Sequence, residues 1–205
     1  MDLYEAVGRR RSVREFESSL VEEEKLRRVL EAGLRAPSHN HLREWEFILV
    51  RDPAQRRRVV EIGARARNMT NQKELEEATT GMKDELQQEM YLKALSVQKR
   101  MLVSAPELLV VCFKMRKPLE ECTTLYDLNC FASIWTCIEN ILLAMASEGL
   151  YGVTYVPNGT SSLRDILGVP EDYEIAALIP IGYPRECLIK QKEISLRDKL
   201  HTDEW

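Results

Sequence analysis

The chain has 205 residues, a formal net charge of −4 and 44% hydrophobic residues, which is typical of one compact domain, here placed over residues 1–205. Charged residues of both signs are interspersed and make up 30% of the chain, which argues against a nucleic-acid-binding surface. The chain has no run of about 20 uninterrupted apolar residues, and its five cysteines form no CxxC pair. These features argue against a membrane span, disulfides and zinc, so we expect a soluble, cytoplasmic protein.

The first part of the sequence predicts three helices and one strand. The segment "LYEAV" (3–7) predicts a short helix, and residues 22–34 predict a second one because their apolar residues recur at helical spacing. "WEFILV" (45–50) predicts a strand, since it is a short apolar run. Asp52 and Pro53 then start a helix that runs to about Arg67.

The middle of the sequence contains its most polar and its most apolar segments. Residues 68–103 are rich in charge and predict a mostly helical cover rather than part of the core. "PELLVVCF" (106–113) is a continuous apolar run, which is typical of a strand buried on both faces. Residues 126–148 predict a long helix with apolar or small residues on nearly all sides. One face alone cannot bury them, so we expect this helix at a subunit interface.

The last predicted elements are a strand, a short helix and a final strand. They are "YGVTYV" (151–156), "SSLRDIL" with a cap at Thr160 or Ser161, and "EIAALIPIGYP" (174–184). The order is therefore αα-β-α-α-β-α-β-α-β. This order predicts a single α+β domain.

The loop after the first helix, "VGRRRSVREF" (7–16), is unusually basic for an acidic chain. Guanidinium groups bind phosphate through paired donors, so the loop is a candidate site for a small anion. The candidate residues are Arg10, Arg11, Ser12 and Arg14. A solvated basic patch is the alternative. Lys190 and Lys192 follow the last strand and contribute only if the fold returns this tail to the arginine loop.

A second polar loop, "APSHNHLREW" (36–45), stands just before a buried strand, a common position for ligand-binding residues. Ser38, His39 and His41 crowd polar groups into it. Two histidines without a matching carboxylate or thiol do not make a metal site, so we expect no metal. A hydrogen-bonded loop without a ligand is the alternative.

The turn "TYVPNG" (154–159) ends a strand with proline and glycine, so its backbone N–H and C=O groups are exposed. A simple turn is the commoner use of these residues. The sequence contains no Walker loop or GxGxxG motif, and Ser38 with His41 does not by itself make a nucleophilic triad.

Four segments in chain order resemble the nitroreductase family of FMN-dependent oxidoreductases. They are "RRSVREF" (10–16), "APSHNHLREWEFILV" (36–50), "ENILLAMASEGL" (139–150) and "IPIGYP" (179–184) followed by a basic tail. The resemblance implies a three-layer α/β/α sandwich with a mixed central sheet, in an intertwined homodimer with FMN at the interface. It also implies that the variable segment 68–103 is the substrate-contacting lid.

The resemblance assigns the candidate residues to parts of the flavin. Those implied for the phosphate and ribityl chain are Arg10, Arg11, Ser12 and Arg14, with Lys190 and Lys192 from the tail. Those implied on the loop that approaches from the partner subunit are Pro37, Ser38, His39 and His41. Those implied after the third strand are Tyr155, Val156 and Pro157. At this last place a backbone N–H meets flavin N5, which Val156 can provide and Pro157 cannot.

The second motif departs from the family pattern "NxQPW", because the sequence here reads "HLREW". His41 replaces Asn, as it does in some members including the iodotyrosine dehalogenase branch. Arg43 replaces Gln and Glu44 replaces Pro, so the polarity of the substrate pocket is expected to differ.

The resemblance implies a homodimeric, ping-pong enzyme that takes electrons from NAD(P)H and gives them to a nitroaromatic, quinone or similar electron-poor acceptor. No catalytic side chain is expected, because water and the flavin can supply protons. One alternative is a specialised flavin enzyme of the same fold, either a reductive dehalogenase or a flavin-fragmenting enzyme. The other is a non-enzymatic dimer that binds a phosphorylated ligand.

Overall fold

A computed structural model describes residues 1–64, 79–82, 84–185 and 194–205. Its helices are α1 (Leu3–Arg9), α2 (Glu23–Leu34), α3 (Pro53–Gly63), α4 (Glu85–Ser104), α5 (Asn129–Ser147) and α6 (Thr160–Leu167). Its strands are β1 (Trp45–Leu49), β2 (Glu107–Lys114), β3 (Tyr151–Gly152) and β4 (Tyr173–Gly182). The predicted order of elements is confirmed. Part of the predicted 68–103 cover lies outside the described residues, and α4 is the described part.

The ends of several helices follow from local chemistry. Asp2 caps α1 by accepting the Glu5 N–H at 2.8 Å. Asp52 caps α3 in the same way, with Pro53 at the first position, as the sequence predicts. Helix α3 ends at Gly63, which is earlier than the predicted end near Arg67.

The predicted strand 151–156 is only partly regular. Tyr151 and Gly152 pair with β4, and Tyr155 then rejoins β4 through a bridge to Leu178 with backbone hydrogen bonds of 2.9 and 2.8 Å. Between these points the chain leaves the ladder. Gly152 instead pairs on its other side with Ser12.

The predicted side-chain cap of the short helix α6 is wrong. Thr160 and Ser161 both lie inside the helix, and the capping position belongs to Gly159. The φ of Gly159 is 56°, a left-handed conformation that glycine adopts without a steric penalty. The turn into α6 therefore depends on backbone geometry and not on a hydroxyl.

The sheet has the order β1-β2-β4-β3, and each neighbouring pair is antiparallel. The expected mixed sheet is thus not seen among the described strands, where parallel pairing is found at the bridge between Ser12 and Gly152. The reason is visible at β1 and β2. Helices α3 and α4 connect β1 to β2. They return the chain to the end of the sheet at which β1 finishes, so β2 runs in the opposite direction. There the Val50 N–H donates to the Leu108 carbonyl at 2.9 Å.

Helices cover both faces of the sheet. Helices α2 and α5 pack on one face, and α3, α4 and α6 pack on the other. Successive residues of β2 alternate between the two cores, with Leu109 and Val111 in the first and Leu108 and Val110 in the second. The predicted burial of this strand and the three-layer α/β/α fold are confirmed.

A buried arginine joins two of these elements. Arg56 of α3 donates to the carbonyls of Val50 at 2.9 Å, Pro106 at 3.3 Å and Ala105. Burial lowers the pKa of its guanidinium. The side chain thus gives hydrogen bonds to buried backbone carbonyls at the end of β1 and the start of β2, and it holds these two strand ends together.

Helix α5 has a buried face and an exposed one. Its buried residues are Cys130, Ser133, Ile134, Cys137, Ile138, Ile141, Met145 and Ala146. Apolar side chains nearby are exposed, among them Phe131 on the helix, Leu125 on the preceding turn (86%) and Tyr4 on α1 (87%). Segment Leu125–Ser147 is long and apolar enough to cross a bilayer. Its inner face packs against the sheet, which identifies it as the core helix of the domain.

Candidate functional site

The arginine loop lies against β3. Ser12 forms a parallel bridge with Gly152, and the Val13 N–H donates to the Gly152 carbonyl at 3.0 Å. The turn that begins at Tyr155 follows Gly152 closely along the chain. The fold thus brings two of the predicted motifs together.

Arg14 is the most informative residue of this loop. Its side chain is half-buried, and burial lowers the pKa of its guanidinium. Within the described part of the chain it has no hydrogen bond and no ion pair. A partly desolvated cation without a partner is costly, so this position favours an anionic ligand.

Of the other two arginines, Arg11 bonds to the backbone of the loop and Arg10 lies next to α5. Arg11 donates to the Arg10 carbonyl at 2.7 Å. The Nε of Arg10 lies 4.0 Å from the Oε1 of Glu139, at the limit of an ion pair. Arg10 is therefore only weakly neutralised, and it stands next to α5.

The end of β4 runs beside the arginine loop. Phe16 bridges to Pro184, the Glu17 N–H donates to Tyr183 at 2.9 Å, and the Arg185 N–H donates to Glu15 at 3.1 Å. Lys190 and Lys192 lie outside the described residues. Arg185, the last described residue before them, is hydrogen-bonded to Glu15 of the arginine loop, and the role of the two lysines stays a prediction.

The loop from Pro37 to His41 is attached to α5. The His39 N–H donates to Ser133 Oγ at 2.9 Å, and Thr136 Oγ donates to the Pro37 carbonyl at 2.8 Å. Ser38 Oγ accepts the Arg43 N–H at 3.2 Å. The Ser38 hydroxyl proton is not used in that bond, so it can still be donated to a ligand.

The same loop concentrates backbone strain. Asn40, His41 and Arg43 have φ values of 50°, 56° and 46°, in the left-handed region that non-glycine residues seldom adopt. Such conformations persist only where the surrounding structure enforces them, and they cluster at ligand-binding sites. His41 and Arg43, two of the three residues that depart from the family pattern, are in this strained turn.

His39 points away from solvent. Its Nε2 atom is buried and has no hydrogen-bond partner among the described residues. The His39 ring packs edge-on against the Tyr126 ring, with 5.2 Å between the ring centroids. Tyr126 belongs to a turn fixed by Asp127, where a hydrogen bond from Lys117, followed by backbone N–H donors, holds the pKa of that carboxyl well below its usual range.

The turn after β3 has one buried and one exposed side chain. Tyr155 is buried and donates its hydroxyl proton to the Gly63 carbonyl at 3.2 Å, while Pro157 packs beside Gly63. Val156 is exposed, and its N–H has no partner among the described residues. No described residue therefore occupies the N–H that the sequence predicts as a donor.

Sequence reasoning missed the contribution of α5. Ser133, Thr136 and Glu139 touch either the Pro37 loop or Arg10, and they recur every three residues on a mostly apolar helix. Thr136 and Glu139 are separated by about 4.5 Å along the helix axis. This polar stripe was the available signal.

Comparison with known proteins places the chain in a family. The Nitroreductase family model matches residues 7–183. An iodotyrosine deiodinase of Haliscomenobacter hydrossis is 28% identical over 185 residues, covering 90% of this chain and 80% of that protein. An NADH dehydrogenase of Thermus thermophilus is 27% identical over 193 residues, covering 91% and 88%.

Solved structures show the same fold. An iodotyrosine deiodinase bound to FMN and 3-iodo-L-tyrosine superposes with a TM-score of 0.73 at 22% identity, over 100% of both chains. An NADPH:FMN oxidoreductase from Vibrio harveyi complexed with NAD+ gives 0.68 at 20% identity, over 99% of this chain and 77% of that one. The chain belongs to the nitroreductase family, as its motifs predicted, and FMN is the cofactor of that family.

Proposed function

We propose that the protein is a homodimeric FMN-dependent oxidoreductase that passes electrons from NAD(P)H to a nitroaromatic, quinone or similar electron-poor acceptor. The observation that carries this proposal is Arg14, a half-buried guanidinium without a partner among the described residues. Arg14 lies in a loop that is hydrogen-bonded to β3, and Val156, whose N–H has no partner among the described residues, follows β3 along the chain. An anion-binding group and a backbone donor at one edge of the sheet fit a phosphate-bearing ring cofactor.

The residues at the phosphate end fit this cofactor. Among the described residues Arg14 has no counter-charge and Arg10 has only a distant one, so a phosphate dianion would be stabilised by paired guanidinium donors. We propose that these residues hold the phosphate and ribityl chain: Arg10, Arg11, Ser12 and Arg14, completed by Lys190 and Lys192. The hydrogen bond from Arg185, just after β4, to Glu15 supports the contribution of the tail.

The residues at the ring end fit as well. The Val156 N–H would donate to flavin N5, while Tyr155 and Pro157 anchor the turn through Gly63. The partner subunit's copy of the Pro37–His41 loop would cover the ring. The chemistry that bound FMN supplies is hydride acceptance from NAD(P)H and delivery of electrons to the acceptor. The protein's part is to position both substrates and to exclude water.

A second copy of this chain is the partner that the exposed apolar surface favours. Tyr4 and Val7 of α1 are exposed, as are Leu125 before α5 and Phe131 on it. Large apolar patches on a soluble protein mark interaction surfaces. Helices α1 and α5 pack together, and Arg10, which follows α1, lies next to Glu139 of α5.

The visible spectrum of the purified protein tests the cofactor directly. We expect flavin absorption bands, bleached under anaerobic conditions by NADH or NADPH and restored by a quinone or nitroaromatic. Size measurement on the same sample should give a dimer that resists dilution. A colourless protein that does not take up added FMN would refute the proposal.

Reductive dehalogenation is the second candidate, because several similar proteins are iodotyrosine deiodinases at 25–28% identity. Release of iodide from 3-iodotyrosine by the chemically reduced protein would favour it. Rapid quinone reduction without iodide release would favour the first candidate. A non-enzymatic sensor would oxidise almost no NAD(P)H with either acceptor.

Glu139 is expected to weaken phosphate binding. Its carboxylate lies 4.0 Å from Arg10, so it both competes for the guanidinium and repels a dianion. Replacing Glu139 with Gln should tighten FMN binding about threefold, as for a partly exposed charge pair. Flavin fluorescence quenching measures this, and riboflavin, which lacks the phosphate, is the control and should bind unchanged. Weaker FMN binding by the variant would instead mean that Glu139 holds Arg10 in place.

A further inference from the structure

We infer that Ser133 and Thr136 of α5 are positioning residues, whose hydroxyls fix the Pro37–His41 loop in the shape that the flavin ring meets. This inference rests on the proposed function, because it concerns the same FMN site. Neither residue is expected to touch the cofactor. Both act through the backbone of the loop.

Ser133 is a fixed acceptor. Its hydroxyl donates its one proton to the Asn129 carbonyl at 2.6 Å, so the lone pairs of Oγ are turned toward the His39 N–H at 2.9 Å. Ser133 is buried, so water cannot readily replace it. Without the hydroxyl, the His39 N–H would lose its partner.

Thr136 holds the loop less firmly, because its single hydroxyl proton is shared between two acceptors. Its Oγ lies 2.8 Å from the Pro37 carbonyl and 2.7 Å from the Ser133 carbonyl, and one hydroxyl proton serves both acceptors. Thr136 is also exposed, so water can compete for the Pro37 carbonyl. The two residues should therefore contribute unequally.

Hydrogen bonds hold the strained turn on both sides. Ser133 holds the chain at His39, and the Ser38 hydroxyl holds it at Arg43. Asn40 and His41, with left-handed φ values, lie between these points. Strained residues stay in place only when their flanks are held, and a loop already in its binding shape loses less entropy when a ligand arrives.

A serine at position 133 is not explained by the helix itself. Serine that bonds back to the carbonyl four residues earlier slightly weakens a helix, and alanine would suit a buried, apolar helix better. The bond to His39 offsets that weakness. Ser133 therefore slightly destabilises α5 and stabilises the loop.

The test compares Ser133→Ala, Thr136→Val and Thr136→Ser with the wild type. Three measurements are made on the full-length protein: hydrogen exchange at the His39 amide without FMN, the FMN dissociation constant by fluorescence quenching, and the visible circular dichroism of bound flavin. We expect Ser133→Ala to speed exchange at His39, to weaken FMN binding about tenfold and to alter the flavin dichroism. Thr136→Val should weaken binding only about twofold, and Thr136→Ser, which keeps the hydroxyl, should match the wild type.

The outcomes separate this inference from the function it rests on. Wild-type exchange, affinity and dichroism in Ser133→Ala would overturn the positioning role while FMN binding by the wild type stands. Equal damage from Thr136→Val and Thr136→Ser would overturn it for Thr136, since the hydroxyl would then not matter. Failure of the wild type to bind FMN would refute the proposed function, and the positioning role would fall with it.

Discussion

Replacing Arg10 and Arg14 together with alanine should release FMN, with a loss of affinity of about a hundredfold to ten-thousandfold. Each charge-assisted hydrogen bond contributes about 1.5–3 kcal/mol, and each 1.4 kcal/mol is tenfold in binding. Arg14 is half-buried and unpartnered among the described residues, so its charge is stabilised more by a bound anion than an exposed or paired charge would be. Fluorescence titration with FMN measures the effect.

Two controls make the result specific to phosphate. Riboflavin should bind the double variant and the wild type with similar affinity. Arg9→Ala removes a neighbouring arginine whose charge is already paired with Glu5 at 2.7 Å on the surface of α1. It should leave FMN binding within about twofold of the wild type, since exposed pairs contribute little. Equal losses for FMN and riboflavin would contradict the phosphate assignment.

Replacing Gly152 with alanine should destabilise the fold by about 3 kcal/mol or more. An added Cβ would lie 2.2 Å from the Pro180 carbonyl oxygen and 2.9 Å from Met145 Cε. The oxygen belongs to the backbone of β4, so it cannot rotate away as a flexible side chain would. Relief requires β3 to move, and the bridge to Ser12 would move with it.

Urea unfolding of the variant and the wild type measures this loss. Gly8→Ala is the matched control, because nothing lies within 4 Å of its added Cβ and alanine favours the helix by about 1 kcal/mol. It should be neutral or stabilising. A Gly152→Ala protein as stable as the wild type would mean that β3 and β4 are not packed this closely.

The order of elements was predictable because hydrophobic spacing determines it. The stripe of α2 and the continuous run of β2 each had one reasonable interpretation, and both are observed. The antiparallel direction of the strands was not predictable from such spacing. It depends on how α3 and α4 return the chain, which is a property of the whole fold.

Single side chains were harder to assign than elements. Arg56 is buried and donates to four carbonyl groups, yet in the sequence it cannot be distinguished from Arg57 and Arg58, which are exposed. The difference arises only from which face of α3 meets the end of β1. Ser133 and Thr136 were not singled out either, although polar residues on a mostly apolar helix are a more informative signal than one arginine among three.

The candidate site was predictable as motifs but not as an arrangement. The arginine loop and the "TYVPNG" turn were recognised separately, and the bridge from Ser12 to Gly152 joins them. No local pattern in the sequence encodes that bridge. The cofactor roles of the individual residues stay predictions until the variants are measured.

The bridges that hold the arginine loop also set an order of events in folding. Ser12 pairs with Gly152, and Phe16 pairs with Pro184, so the loop is secured by residues 140 and 168 positions further along the chain. Contacts between such distant parts of a chain form late, because a large loop must be closed first. The arginine loop can therefore reach its final shape only after these distant segments have folded against it, and a ligand that needs that shape must bind after they do.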